Sequence, residues 1–152
     1  MKDWAFDITV KNRIIMASFI DGFSIDELNK VPKGFNNNII WNIAHLIVTQ
    51  QLLIYNLSGL PMLISDEMVK KYRKGSTVDN KVAKDEVNEI KELLLSTIKK
   101  TKEDYNNNIF IDYTEYTVTT KSTLTNIKQA IEFNIFHEGI HLGYILAMKK
   151  LL

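Results

Sequence analysis

Residues 136–143 read FHEGIHLG, and inside that stretch His137, Glu138 and His141 form the string H-E-x-x-H. The string is the signature of a zinc-protease helix. Four residues of α-helix turn through about 400°, so His137 and His141 project about 40° apart, one turn above the other, and both imidazoles reach toward one ion. A protease of this kind needs a third ligand. The metzincin continuation asks for a glycine and a histidine where this chain has Tyr144 and Ala147. The other arrangement takes a downstream carboxylate, but residues 139–152, GIHLGYILAMKKLL, hold no Asp or Glu. The third ligand therefore lies upstream, and the protease string is coincidental. Glu138 stands about 100° round the helix from His137. A general-base role stays open for it, but a solvated or interface glutamate is the expectation.

Upstream, the chain offers one more histidine, His45, out of 3 in all. Trp41, His45, Val48 and Leu52 recur at three- and four-residue spacing and so share a helix face. Imidazole nitrogen suits zinc and also nickel, iron and copper. A catalytic ion takes three protein ligands and keeps one position open. Where the helix of His45 faces the helix of His137 and His141, the three histidines complete such a set. Histidines on apolar helix faces also occur as hydrogen-bonded core residues, and the pair alone does not decide between the two.

The rest of the chain predicts helices around these two. It has 152 residues, 45% hydrophobic and 24% charged, which suits one soluble domain over residues 1–152. A first helix is expected from about Asp3 to Ile20, with Ile8, Ile15 and Phe19 among its apolar positions. Ser24–Glu27 reads as a capping box that opens a short turn. A second helix starts at the Asn36–Asn38 run and continues to about Ser58, before Gly59 and Pro61. A short piece over Asp66–Lys74 follows, then a third helix over about Asp79–Tyr105 with Val82, Val87, Ile90, Leu94 and Ile98 as its stripe. Residues 113–120, YTEYTVTT, favour an extended, strand-like crossing. A fourth helix begins near Ser122 or Thr123 and runs to the end. Four long helices in one chain of this size predict an all-α four-helix bundle.

Composition excludes several functions. The formal net charge is +1, so no electrostatic case exists for a nucleic-acid partner. The most apolar stretch, residues 39–60, is broken by Asn42, His45, Thr49, Gln50, Gln51 and Asn56, so no membrane span is expected. Asp3 and Asp7 fall where a signal peptide needs apolar residues, and a cytoplasmic protein is expected. The chain has no cysteine, which removes disulfides, a thiol nucleophile and thiolate ligands together.

Two motifs carry a family resemblance. The context N-I-x-H-L (Asn42, Ile43, His45, Leu46) and the context H-x-x-x-H-x-G-x-I (His137, His141, Gly143, Ile145), together with the helix order and the Trp41 start, resemble the DinB-like superfamily over nearly the whole chain. The resemblance implies a bundle in up-down-down-up order with a long crossing connection. It implies one divalent ion (zinc, nickel or iron) on His45, His137 and His141, and a homodimer. It also implies either a thiol-dependent transferase or a hydrolase, or a member without activity. Leu142-Gly143-Tyr144 departs from the basic residue and glutamine expected around that glycine, which touches the polar lining of the pocket and not the metal ligands.

Two enzyme chemistries follow for such an ion: activation of water, or of a low-molecular-weight thiol, against a small electrophile. Without cysteine in the chain, any thiol is a cosubstrate. Asn134, three before His137, and Thr49, four after His45, are candidates for outer hydrogen bonds or for plain helix packing. Trp41 and Tyr144 are expected in the pocket wall or core. The last helix is apolar nearly all round (Phe133, Phe136, Ile140, Leu142, Ile145, Leu146), which predicts a partner subunit on its outer side. The alternative to an enzyme is a non-catalytic, dimeric stress-related or interaction protein with a structural metal.

Overall fold

A computed structural model of the protein describes residues 2–152, with side chains from Trp4 onward. Four long helices make the frame: α1 Lys2–Gly22, α3 Ile39–Ile54, α5 Lys84–Asn106 and α6 Ile127–Lys149. Two short helices, α2 Ile25–Asn29 and α4 Asp66–Tyr72, sit in the connections. The architecture is all-α apart from one small antiparallel hairpin, β1 Tyr116–Thr117 and β2 Thr123–Leu124, with Tyr116 opposite Leu124. Helix α3 packs on α6 and α5, and α1 packs on α5 and α6, which closes the four into a ring. Among the described residues no helix is long and apolar enough to cross a membrane.

Local chemistry sets the helix starts. The Ser24 capping box forms as expected, with Glu27 returning a bond to the Ser24 backbone N–H. Asn38, Ser65 and Asn126 cap α3, α4 and α6 through their side-chain oxygens. Helix α3 is the centre of the core; of its residues only Thr49 and Leu52 are not buried. A helix apolar all round has to be covered all round. Its polar side chains find partners inside: Gln50 donates to Thr101 at 2.6 Å, and Gln51 accepts the Leu63 N–H at 2.7 Å.

Four expectations are corrected. On α1 the buried face runs through Phe6, Thr9, Arg13, Met16, Ala17 and Ile20, while Ile14 and Ile15 are 53% and 43% exposed. Arg13 holds the inward position because Glu138 neutralises it there, and the apolar stripe is displaced round the helix. The α-helical part of the second long helix stops at Ile54, and Asn56–Ser58 tightens to a 3₁₀ turn ending at Gly59, whose φ of 68° suits a residue without Cβ. The third begins at Lys84 instead of near Asp79. Asn29 holds both backbone groups of Val82, accepting its N–H at 2.7 Å and donating to its carbonyl at 3.0 Å, so Val82 enters the core in an extended segment. The fourth begins at Ile127, because Thr123 and Leu124 pair with β1 and Asn126 supplies the cap.

The segment between α5 and α6 crosses to the C-terminal end of α3. There the Tyr113 hydroxyl donates to the Leu53 carbonyl at 3.0 Å, and the Thr114 N–H to the Leu57 carbonyl at 2.7 Å. These bonds satisfy carbonyls that the helix end leaves without partners.

Candidate metal centre

His45 comes from the middle of α3, and His137 and His141 from successive turns of α6, the helix against which α3 packs. Their ring centroids lie 5.2 Å (His45–His137), 4.9 Å (His45–His141) and 4.6 Å (His137–His141) apart. One nitrogen of each lies within 4.8 Å of the others, and among the described residues no carboxylate joins the cluster.

Two of the rings are held by their Nδ1 atoms. His45 Nδ1 lies 2.6 Å from the Tyr72 carbonyl oxygen. A carbonyl only accepts, so this nitrogen carries the proton and Nε2 keeps its lone pair. His141 Nδ1 lies 2.7 Å from Asn42 Oδ1. The Asn42 amide is oriented by its own Nδ2, which donates to the Asn38 carbonyl at 2.8 Å, so Oδ1 is the accepting end. His141 therefore also presents Nε2. A proton fixed on one imidazole nitrogen by an outer acceptor, with the other nitrogen free, is the arrangement of metal-ligating histidines. His137 differs, since its Nδ1 is buried and has no partner.

Burial sets the charge state. It lowers His137 to about 3, helped by the neighbouring His141 and His45, and lowers His141 to about 4, helped by His45. His45 is also pushed down by burial, opposed by its bond to the Tyr72 carbonyl. Cations this close repel one another in a medium that solvates them poorly. At neutral pH the three rings are uncharged and their lone pairs are available. The donor set thus fits a divalent ion of intermediate softness.

The other sequence candidates fall in three places. Trp41 stacks on His45 at 4.6 Å and 11°, and its indole N–H donates to Ser76, so it forms the wall behind that ring. Thr49 lies against the cluster, its hydroxyl 3.3 Å from His45 Nε2. Tyr144 stands at the outer edge, half exposed, its ring 6.2 Å from His141 and in edge contact with Phe35. Asn134 and Glu138 do not bond the imidazoles. Glu138, expected in solvent or at an interface, is fully buried and accepts from Arg13 Nε at 3.0 Å, Arg13 Nη2 at 2.8 Å and Asn134 Nδ2 at 2.9 Å, all on Oε1. Arg13 Nη1 also donates to the Leu94 carbonyl and the Thr97 hydroxyl. Removing Arg13 from water is tolerable only because its donors are met in this way.

Two contributors escaped the sequence reading. Asn42 had a readable signal, a polar residue three positions before His45 in an apolar helix. The Tyr72 carbonyl had none, because a main-chain acceptor has no residue type.

A cavity of about 260 Å³ opens beside the histidines. His45 and His137 form part of its wall, with Leu52, Leu53, Leu57, Val118 and Phe133 as apolar lining and Thr49, Asn56, Lys74 and Thr119 as polar lining. Among the described residues no acidic side chain lines it. Lys74 donates to Thr119 at 2.9 Å, joining the end of α4 to the hairpin. A larger cavity, about 490 Å³, lies on the far side of Trp41 and touches none of the histidines.

A family model, the DinB superfamily, matches residues 9–145 of the chain. No curated protein matches it.

Proposed function

We propose, on the premise that the chain belongs to the DinB superfamily, that His45, His137 and His141 hold one divalent ion (zinc, nickel or iron) and that the protein is a metal-dependent enzyme. It acts on a small electrophile, with water or a low-molecular-weight thiol as nucleophile. The observation that carries this reading is the cavity: it reaches His45 and His137, while among the described residues no fourth histidine and no carboxylate stands in the cluster. A structural ion is normally closed by a fourth protein ligand. When bound, the ion supplies Lewis acidity, which makes water or a thiol acidic enough to react near neutral pH.

The chain's own residues bind and orient. The Leu52, Leu53, Leu57, Val118 and Phe133 side chains take an apolar body and exclude water. Thr49 and Asn56 offer hydrogen bonds, and among the described residues Lys74 is the one charged side chain of the lining, which favours a substrate or thiol with an anionic end. Protein purified without chelator or histidine tag should carry about one divalent ion per chain. A screen of activated esters and of electrophile–thiol pairs should then show metal-dependent turnover. Stoichiometric metal without turnover of any such pair counts for the structural-metal alternative.

The outer side of α6 supports a homodimer. Phe136, Ile140, Tyr144 and Leu146 on this helix are all substantially exposed, and an apolar patch of this kind is commonly covered by a partner. Sedimentation showing only monomer at working concentration would count against the dimer.

A further inference from the structure

Among the described residues, four buried side-chain polar atoms have no hydrogen-bond partner, and three of them are Asn134 Oδ1, His137 Nδ1 and Glu138 Oε2 on one stretch of α6. Buried polar atoms are rarely left unpaired, so a cluster of them needs a cause. Asn134 is 2% exposed and Glu138 fully buried, so bulk water does not supply it.

Helix geometry arranges the three in order. Taking His137 as origin, Glu138 lies about 100° round the helix and Asn134, one turn earlier, about 60°, so Asn134 projects between the other two. Its amide is oriented by chemistry. Nδ2 donates to Glu138 Oε1 at 2.9 Å, and a carboxylate only accepts, so Oδ1 is the free end and is an acceptor. Glu138 is itself fixed by two bonds from Arg13. An oriented acceptor is thus held one turn below a ring nitrogen that has nothing to bond.

We infer that Asn134 is the positioning residue of His137: with the metal on Nε2, the His137 Nδ1–H is held by Asn134 Oδ1, directly or through one buried water. His137 then obtains what Asn42 gives His141 and the Tyr72 carbonyl gives His45. The inference rests on the metal reading above and extends it inward, making the chain Arg13–Glu138–Asn134 the support of the one ligand that otherwise lacks a hydrogen-bonded anchor. It also gives the buried ion pair a role beyond packing α1 against α6.

The test uses zinc and the full chain. Asn134→Leu keeps most of the volume, and Asn134→Ala serves if the leucine variant does not fold. In zinc-loaded wild type, nitrogen-edited NMR should show Nδ1–H protons on all three histidines. In the variant the His137 proton should be lost to exchange while those of His45 and His141 remain, which also reports an intact bundle. Zinc affinity, read by competition with a chromophoric chelator, should fall about tenfold to a hundredfold. Zinc bound through His137 Nδ1, or a variant with all three protons and unchanged affinity, overturns the inference while leaving the metal site standing. A wild-type protein that takes up no zinc overturns both.

Discussion

Arg13 and Glu138 stand 125 positions apart in sequence, yet they meet in the core with Nη2 2.8 Å from Oε1 and neither side chain in contact with solvent. The pair ties α1 to α6, the helix of two of the candidate ligands. Glu138→Ala leaves a buried guanidinium without its counter-charge and should cost about 3–5 kcal/mol. Replacing both partners, with Arg13→Met and Glu138→Leu, should cost much less. Denaturant titration of the two variants checks the difference, and equal losses would rule the ion pair out as the cause.

His137→Ala should remove most of the bound metal, since two imidazoles alone make a weak site. Elemental analysis after dialysis reads this directly. Retention of stoichiometric metal by the variant would show that the ion sits elsewhere.

Asn42→Leu takes away the acceptor that fixes His141. Zinc affinity should drop about tenfold to a hundredfold. Asn42→Asp keeps an acceptor for His141 but gives up the donor to the Asn38 carbonyl, and should retain more affinity than the leucine variant. Calorimetric titration of both variants distinguishes orientation of His141 from mere packing at position 42, because packing alone predicts that the two behave alike.

The metal-free protein should lose stability in mild acid. Burial holds His137 at about 3 and His141 at about 4, against an ordinary value of 6.5 that the unfolded chain retains. Above that ordinary value both states are neutral at these positions and the histidines contribute no pH dependence. Below it the unfolded chain takes up protons that the native state refuses, so stability falls as pH drops from about 6.5 toward the folded values. Thermal unfolding across this window should show the fall, and His137→Gln should make it shallower. A variant with the same pH slope as wild type would assign the effect to other groups.

The helix inventory is legible because caps and apolar periods are local signals: Ser24 and the Asn36–Asn38 run mark the starts of α2 and α3. Boundaries decided by tertiary partners are not. Nothing in the residues near Val82 announces that Asn29, 53 positions earlier, will hold its backbone. The three-histidine cluster was readable from spacing and from the packing of two apolar helices. The inward Arg13 was not, because a charged residue is placed in a core only once its partner is known, and that partner, Glu138, reads locally as a surface residue.

The crossing segment between α5 and α6 does two jobs at different points along its length. Tyr113 and Thr114 complete the end of α3, while Tyr116, Val118 and Thr119 wall the cavity beside His45 and His137. Residues 111–112, just before Tyr113, are exposed and do not appear in the lining of that cavity. The helix end at Asn106–Asn108 is fixed by its own cap, with the Asn107, Asn108 and Ile109 N–H groups bonded back to α5. Length is therefore free to drift only at Ile111–Asp112, where added residues cost the slow logarithm of loop closure, and it is frozen a few positions later, where one inserted residue would shift the lining past the histidines. Among variants of this chain, insertions should collect on the first side of Tyr113, and changes in the shape of the cavity on the second.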